Sequence, residues 1–171
     1  MYDYIRSRRK RKLAYFFTFI AIVIIAILLY SIYVLTRFET VLTTEDYVQM
    51  KLDKIVSAID RNVVILKGEC TELNFFVSPE QALAIEEGLS NVTKFRPMTH
   101  DLIVDILNGF EIKPVMVKIT KLSDETYFAE LTLKEGNRFL IADIRPSDAT
   151  AIAVRTNTPI YVNESLVMKT C

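Results

Sequence analysis

Two short stretches of this chain gather side chains that can do chemistry. They are Asp143-Ile144-Arg145-Pro146-Ser147-Asp148 and Arg96-Pro97-Met98-Thr99-His100-Asp101. Each sets an arginine, a proline, a hydroxyl residue and an aspartate at the opening of an apolar helix pattern, which reads as a duplicated unit whose openings share one cleft. The carboxylates of Asp143, Asp148 and Asp101 are oxygen donors of the kind Mg²⁺ or Mn²⁺ prefers. His100 can carry a proton either way near neutral pH, and Arg96 and Arg145 can grip an oxyanion through two parallel hydrogen bonds. A second reading of the same residues needs no ligand. Asp101 and Asp148 suit the first turn of any helix, Arg145 with Asp143 can be a structural ion pair, and a lone histidine at a helix start is an ordinary hydrogen bonder.

These side chains must be positioned by the elements around them. Residues 138–144 form an apolar run of strand length after the turn Glu135-Gly136-Asn137. Pro146 stops the pairing and suits the first turn of a helix over 146–156, where Ser147 or Asp148 can accept from free N–H groups. A second helix runs from the Arg96-Pro97 opening to Asn108-Gly109, and a third begins at Ser78-Pro79-Glu80-Gln81, where Ser78 and Gln81 have capping-box spacing. Strands are expected at 47–57, 62–67 and 71–77 as a meander, then at 112–122 and 127–134. Glu130 faces outward with Phe128 in a strand and reads as solvated. The extended piece 158–162 carries Pro159, which favours a sheet edge. The fold class is α+β: one domain over 47–171, with a mixed or antiparallel sheet and three helices, preceded by a transmembrane helix.

That preceding helix is expected over 13–36, 24 residues without a charge. At about 1.5 Å per residue it spans roughly 36 Å, enough for a bilayer's hydrocarbon core. Six basic residues lie within residues 1–12 and few follow the span, so the positive-inside rule places the N-terminus in the cytoplasm and the domain outside it. The run is too long for a cleaved signal peptide and lacks a small-residue cleavage site, so a single-pass signal anchor with a polar linker over 37–46 is expected.

The formal net charge of zero hides a split. Those six bases and Asp3 stand before residue 13, so 15 Lys and Arg face 20 Asp and Glu beyond residue 36. An acidic domain of this kind does not coat nucleic acid by charge alone, and phosphate chemistry needs a local basic group or a metal. Cys70 and Cys171 permit one disulfide in an oxidising compartment and equally permit two free thiols. Asn91-Val92-Thr93 and Asn163-Glu164-Ser165 match the N-glycosylation acceptor pattern. No cysteine or histidine spacing suits zinc, and no glycine-rich phosphate loop or serine elbow is present.

Arg96-Pro97-Met98-Thr99-His100-Asp101-Leu102, then Asp143-Ile144-Arg145-Pro146-Ser147-Asp148-Ala149, then Pro159-Ile160-Tyr161-Val162, resemble the bifunctional nuclease domain family over roughly residues 47–168. The resemblance implies hydrolysis of DNA and RNA; for that chemistry the residues themselves offer a divalent-metal position near Asp143, Asp148 and Asp101, and His100 as acid and base. Arg96, Arg145, Thr99 and Ser147 would then hold substrate. The chain departs from the pattern at Gln81-Ala82, where Glu-Ala is usual, and at Ile144, where a small residue is common. The implied protein is a membrane-anchored nuclease. The alternative is a non-catalytic tethered binding or assembly module, with a homo-oligomer among the expected partners.

Overall fold

Alternating apolar residues and tight polar turns account for most of the sheet. A computed structural model describes residues 2–57, 61–90 and 96–171, and of residues 2–14 and 37–41 the backbone alone. The acceptor sequence Asn91-Val92-Thr93 lies outside the described residues. Strands β1 (Tyr47–Ser57), β2 (Asn62–Lys67) and β3 (Thr71–Val77) form the expected antiparallel meander. Strands β4 (Lys113–Ser123), β5 (Thr126–Glu135) and β6 (Arg138–Ile144) form a second one. The β5–β6 loop is the two residues Gly136-Asn137, with Gly136 at φ +53°, a backbone region open to glycine at no steric cost.

The two meanders are joined by β7 (Ile160–Asn163). It pairs antiparallel with β1 and parallel with β4, giving the strand order β6-β5-β4-β7-β1-β2-β3-β8, where β8 is Met168–Lys169. This corrects the expected edge position of 158–162. Pro159 falls one residue before the strand, so its missing N–H removes no ladder bond, while its carbonyl accepts from the Val117 N–H at 3.0 Å. A 3₁₀ turn over Glu164–Leu166 follows, and Asn163 caps it with its side chain.

Helices α2 (Pro79–Ser90), α3 (Thr99–Gly109) and α4 (Pro146–Thr156) complete the α+β domain. The capping box expected at α2 is present: the Ser78 N–H donates to Gln81 Oε1 at 2.9 Å, and the Gln81 N–H to Ser78 Oγ at 3.3 Å. One face of the sheet packs on α2 and α4, burying Val64, Leu66, Phe75, Ile119, Val162, Ile85 and Ile152 in a single core. Fully burying such side chains contributes about 1.5–3 kcal/mol each.

Thr44–Cys171 is one compact unit and Met1–Thr43 another. The second is a single helix, α1 (Tyr2–Leu42), whose segment Tyr15–Thr36 is long and apolar enough to cross a membrane. The helix continues past the expected boundary at residue 36 because 37–42 contain neither Pro nor Gly, which shortens the expected linker. Cys70 and Cys171 are joined in a disulfide, beside the two-residue pairing of β8 with β3.

Candidate active site

Both Arg-Pro openings are built as helix starts, joined by hydrogen bonds between α3 and α4, and only the second lines a cleft. Arg145 ends the β6 pairing in an extended conformation, φ −68° and ψ 143°, and Pro146 opens α4 with its ring where no N–H is needed. No side chain caps α4. Ser147 is buried in its first turn, and Asp148 points away toward other partners. At α3, Met98 holds the cap position and its N–H donates to Asp101 Oδ2 at 2.8 Å. Arg96 and Thr99 lie exposed at that opening.

The link between the openings is a pair of neighbours on α3 that grip α4 at two levels. His100 Nε2 lies 3.2 Å from Asp148 Oδ1. Arg155 Nε donates to Asp101 Oδ1 at 2.6 Å. Asp148 and Arg155 are seven residues apart, close to two helical turns, so both face α3. The second Asp148 oxygen accepts from Arg145 Nε at 2.7 Å. His100 Nδ1 is shielded from water with no hydrogen-bond partner. A buried orphan N–H costs more than an orphan lone pair, so the ring proton belongs on Nε2, donated to Asp148.

Arg155 was not anticipated, and it organises the three helices. Its side chain is 7 % exposed. Besides Asp101, its Nη1 donates to the Ala84 carbonyl of α2 at 2.7 Å and to the Ala151 carbonyl at 2.8 Å. Gly88 of α2 makes room, because a Cβ there would lie 2.5 Å from Arg155 Nη1. The Arg155 hydrogen bond is the main reason the Asp101 carboxyl titrates below the usual aspartate range. Burial opposes it, and the Met98 N–H and the Arg155 charge add to it.

Of the expected site residues, Asp143, Arg145 and Asp148 line one cleft of about 370 Å³, walled by Tyr127 and Phe128 of β5. Arg145 extends into solvent, its side chain 72 % exposed, and Asp143 is exposed. His100 stands behind Asp148, and Asp101 is turned toward Arg155. Among the described residues no group of three or more His, Cys, Asp and Glu side chains could hold a metal ion. Both oxygens of Asp148 and both of Asp101 are already engaged, so these donors do not fit a metal site by themselves. The Gln81 departure does not reach the cleft: Gln81 and Glu80 belong to the α2 cap, where a backbone N–H and then the Ser78 hydroxyl hold Glu80 below its ordinary pKa.

Two further residues escaped the reading of the sequence, and a third, Glu130, was read only as a solvated strand position. Tyr127 and Phe128 carried no signal beyond strand alternation. Glu130 sits directly opposite Asp143 across β5 and β6. That pairing was available by counting back from the Gly136-Asn137 loop, since a two-residue hairpin fixes register.

Comparison with known proteins adds to the geometry. An uncharacterised protein of Mycobacterium tuberculosis is 35% identical over 95 residues, 56% of this chain and 56% of its own length. Bifunctional nuclease 1 of Arabidopsis thaliana is 40% identical over 83 residues, 46% of this chain and 25% of that protein. Bifunctional nuclease 2 of Oryza sativa subsp. japonica is 36% identical over 104 residues, 58% of this chain and 31% of that protein. The match thus spans about half the length of the mycobacterial relative and a third or less of the plant ones. The family model for the bifunctional nuclease domain matches residues 64–171, which include α3, the cleft and α4. On that match, and with both charged openings inside it, the chain belongs to the bifunctional nuclease domain family.

Proposed function

We propose that residues 44–171 hydrolyse phosphodiester bonds of DNA or RNA at the cleft beside the start of α4, and that Tyr15–Thr36 anchors the domain to a membrane. The observation that carries this reading is the convergence of Asp143, Arg145 and Asp148 on one open cleft, in a chain whose plant relatives bear the name bifunctional nuclease. Asp148 takes the Arg145 Nε, which leaves the two terminal nitrogens of the guanidinium for a phosphate. The positive end of the α4 dipole adds to that attraction. Asp143 is the exposed carboxylate that can orient or deprotonate an attacking water. His100 acts through Asp148, holding the carboxylate in line with Arg145.

The assay uses the full chain in detergent with single-stranded DNA and RNA. Asp143→Asn and Arg145→Ala are each expected to slow cleavage by about a hundredfold or more. Mg²⁺ or Mn²⁺ would have to arrive with the phosphate and use the exposed Asp143, since Asp101 and Asp148 are engaged; adding EDTA and restoring each ion tests whether cleavage needs one. The reading is abandoned if the chain cleaves neither substrate with either ion, or if Asp143→Asn cleaves at the wild-type rate.

An extracytoplasmic domain is part of the same proposal, supported by the basic flank before the span and by the Cys70–Cys171 disulfide. A membrane-impermeant amine reagent added to intact cells should label the lysines of the domain; no labelling until the cells are lysed would place it in the cytoplasm. A specific observation favours the alternative, a non-catalytic module that self-associates. Leu102, Ile106 and Phe110 form an exposed apolar stripe along α3. Analytical ultracentrifugation distinguishes it, because that reading expects an oligomer that Ile106→Glu dissolves and no cleavage.

A further inference from the structure

The helices fill one face of the sheet, and the opposite face carries a continuous polar row. The strand registers place Gln49 of β1 opposite Tyr161 of β7, Tyr161 beside Lys118 of β4, Lys118 opposite Glu130 of β5, and Glu130 opposite Asp143 of β6. All of these residues point to the same side of the sheet, and none is buried. With strands about 4.8 Å apart, the row is roughly 19 Å long. It ends at Asp143, inside the cleft.

Aromatic rings and lysines alternate beside this row. Lys118 Nζ lies 5.0 Å from the centroid of the Tyr47 ring, and Lys121 Nζ lies 4.6 Å from that of Phe128. Lys121 pairs with Phe128 across β4 and β5, and Phe128 is itself a wall of the cleft. A ring next to an ammonium group meets both parts of a nucleotide: the base stacks and the phosphate is neutralised.

We propose that this open face binds single-stranded nucleic acid, laid across the strands from β1 toward β6 so that its backbone enters the cleft at Asp143 and Arg145. Only an unpaired base can stack on Tyr161 or Phe128, because a duplex keeps its bases inside. A duplex also demands a broad basic surface, and beyond residue 36 this chain carries 20 acids against 15 bases. The few lysines on this face suit a short stretch of one strand. Glu130 and Asp143 close the row on the acidic side, which sets where the phosphates stop. The direction of the strand rests on the nuclease reading; the surface itself does not.

Fluorescence anisotropy with the full chain in detergent tests the surface without cleavage. The probes are short oligo(dT) with nuclease-resistant phosphorothioate linkages and a duplex of the same length and chemistry. The single strand should bind at least about tenfold more tightly than the duplex. Phe128→Leu and Tyr161→Leu should each weaken it by about tenfold, the order expected for one lost stacked base. Lys118→Gln with Lys121→Gln should weaken it further and reduce the slope of log affinity against log salt by roughly 1.4. Equal binding of the duplex, or an unchanged affinity and salt slope in the lysine double variant, overturns the proposal even if the chain proves to be a nuclease. Binding that follows these expectations in a chain that cleaves no phosphodiester substrate supports the surface and removes the nuclease reading.

Discussion

Arg155 shows how a single side chain can be indispensable without entering the cleft. Its removal leaves Asp101 Oδ1 without its donor, takes the guanidinium from the Ala84 carbonyl, and acts next to His100. Breaking a largely buried ion pair from one side costs about 3–5 kcal/mol, and the low end applies because the Asp101 side chain is 38 % exposed. Arg155→Leu should therefore lower unfolding stability by about 3 kcal/mol in urea titration. Arg155→Lys should recover little, since one ammonium cannot serve Asp101, Ala84 and Ala151 together. The same pair predicts a pH dependence. Asp101 has a folded pKa below its unfolded value of about 3.9, so its stabilisation is whole above that value and disappears as pH falls through the folded one. Acid unfolding should begin at higher pH in wild type than in Asp101→Asn once each curve is normalised to its neutral stability. The charged openings were legible in the sequence because proline, hydroxyl and acid cluster at helix starts. Arg155 was not, because one arginine near the end of an Ala- and Ile-rich helix looks like an exposed terminal base. Only the approach of α2 and α3 makes it interior.

At the scale of elements, nearly every strand and helix followed from period and turn chemistry. The short hairpins at 124–125 and 136–137 and the Ser78-Gln81 cap were local signals, and local signals survived folding. What period could not show was how α2 crosses α4. That crossing depends on Gly88, where a Cβ would meet Val154 Cγ2 at 2.6 Å as well as the Arg155 guanidinium. An exposed helix position would gain about 1 kcal/mol from Gly→Ala. Here the gain is outweighed, and Gly88→Ala should destabilise the domain by about 1–2 kcal/mol net of that gain, read as a lower melting temperature. A rise in melting temperature would mean the helices separate without loss. The cleft was half legible for a related reason: Asp143, Arg145 and Asp148 are near in sequence, whereas Tyr127 and Phe128 arrive through the β5–β6 pairing.

The whole domain is held by one sheet, and its topology was the least legible feature. No local property of residues 158–163 states that they lie between β1 and β4; Pro159 argued for the rim, and the long-range pairing overrode it. The Cys70–Cys171 bond closes a sequence separation of 101 residues. Its loss in Cys171→Ser should lower stability by about 2–4 kcal/mol, measurable against the wild type with and without reductant. Reductant should leave the variant unchanged.

The central place of β7 has a consequence for biosynthesis. Until residue 163 has left the ribosome, the two meanders have no strand to unite them, and each presents an open edge beside an already apolar surface. Folding of the domain is then a late event governed by distant contacts, which are slow to form. A chain emerging across a membrane would pass through that interval as two unjoined half-sheets, open to chaperones and to mispairing with its neighbours. Arrested nascent chains that stop short of residue 160 should remain protease-sensitive throughout, whereas those extended well beyond residue 163 should acquire resistance in a single step.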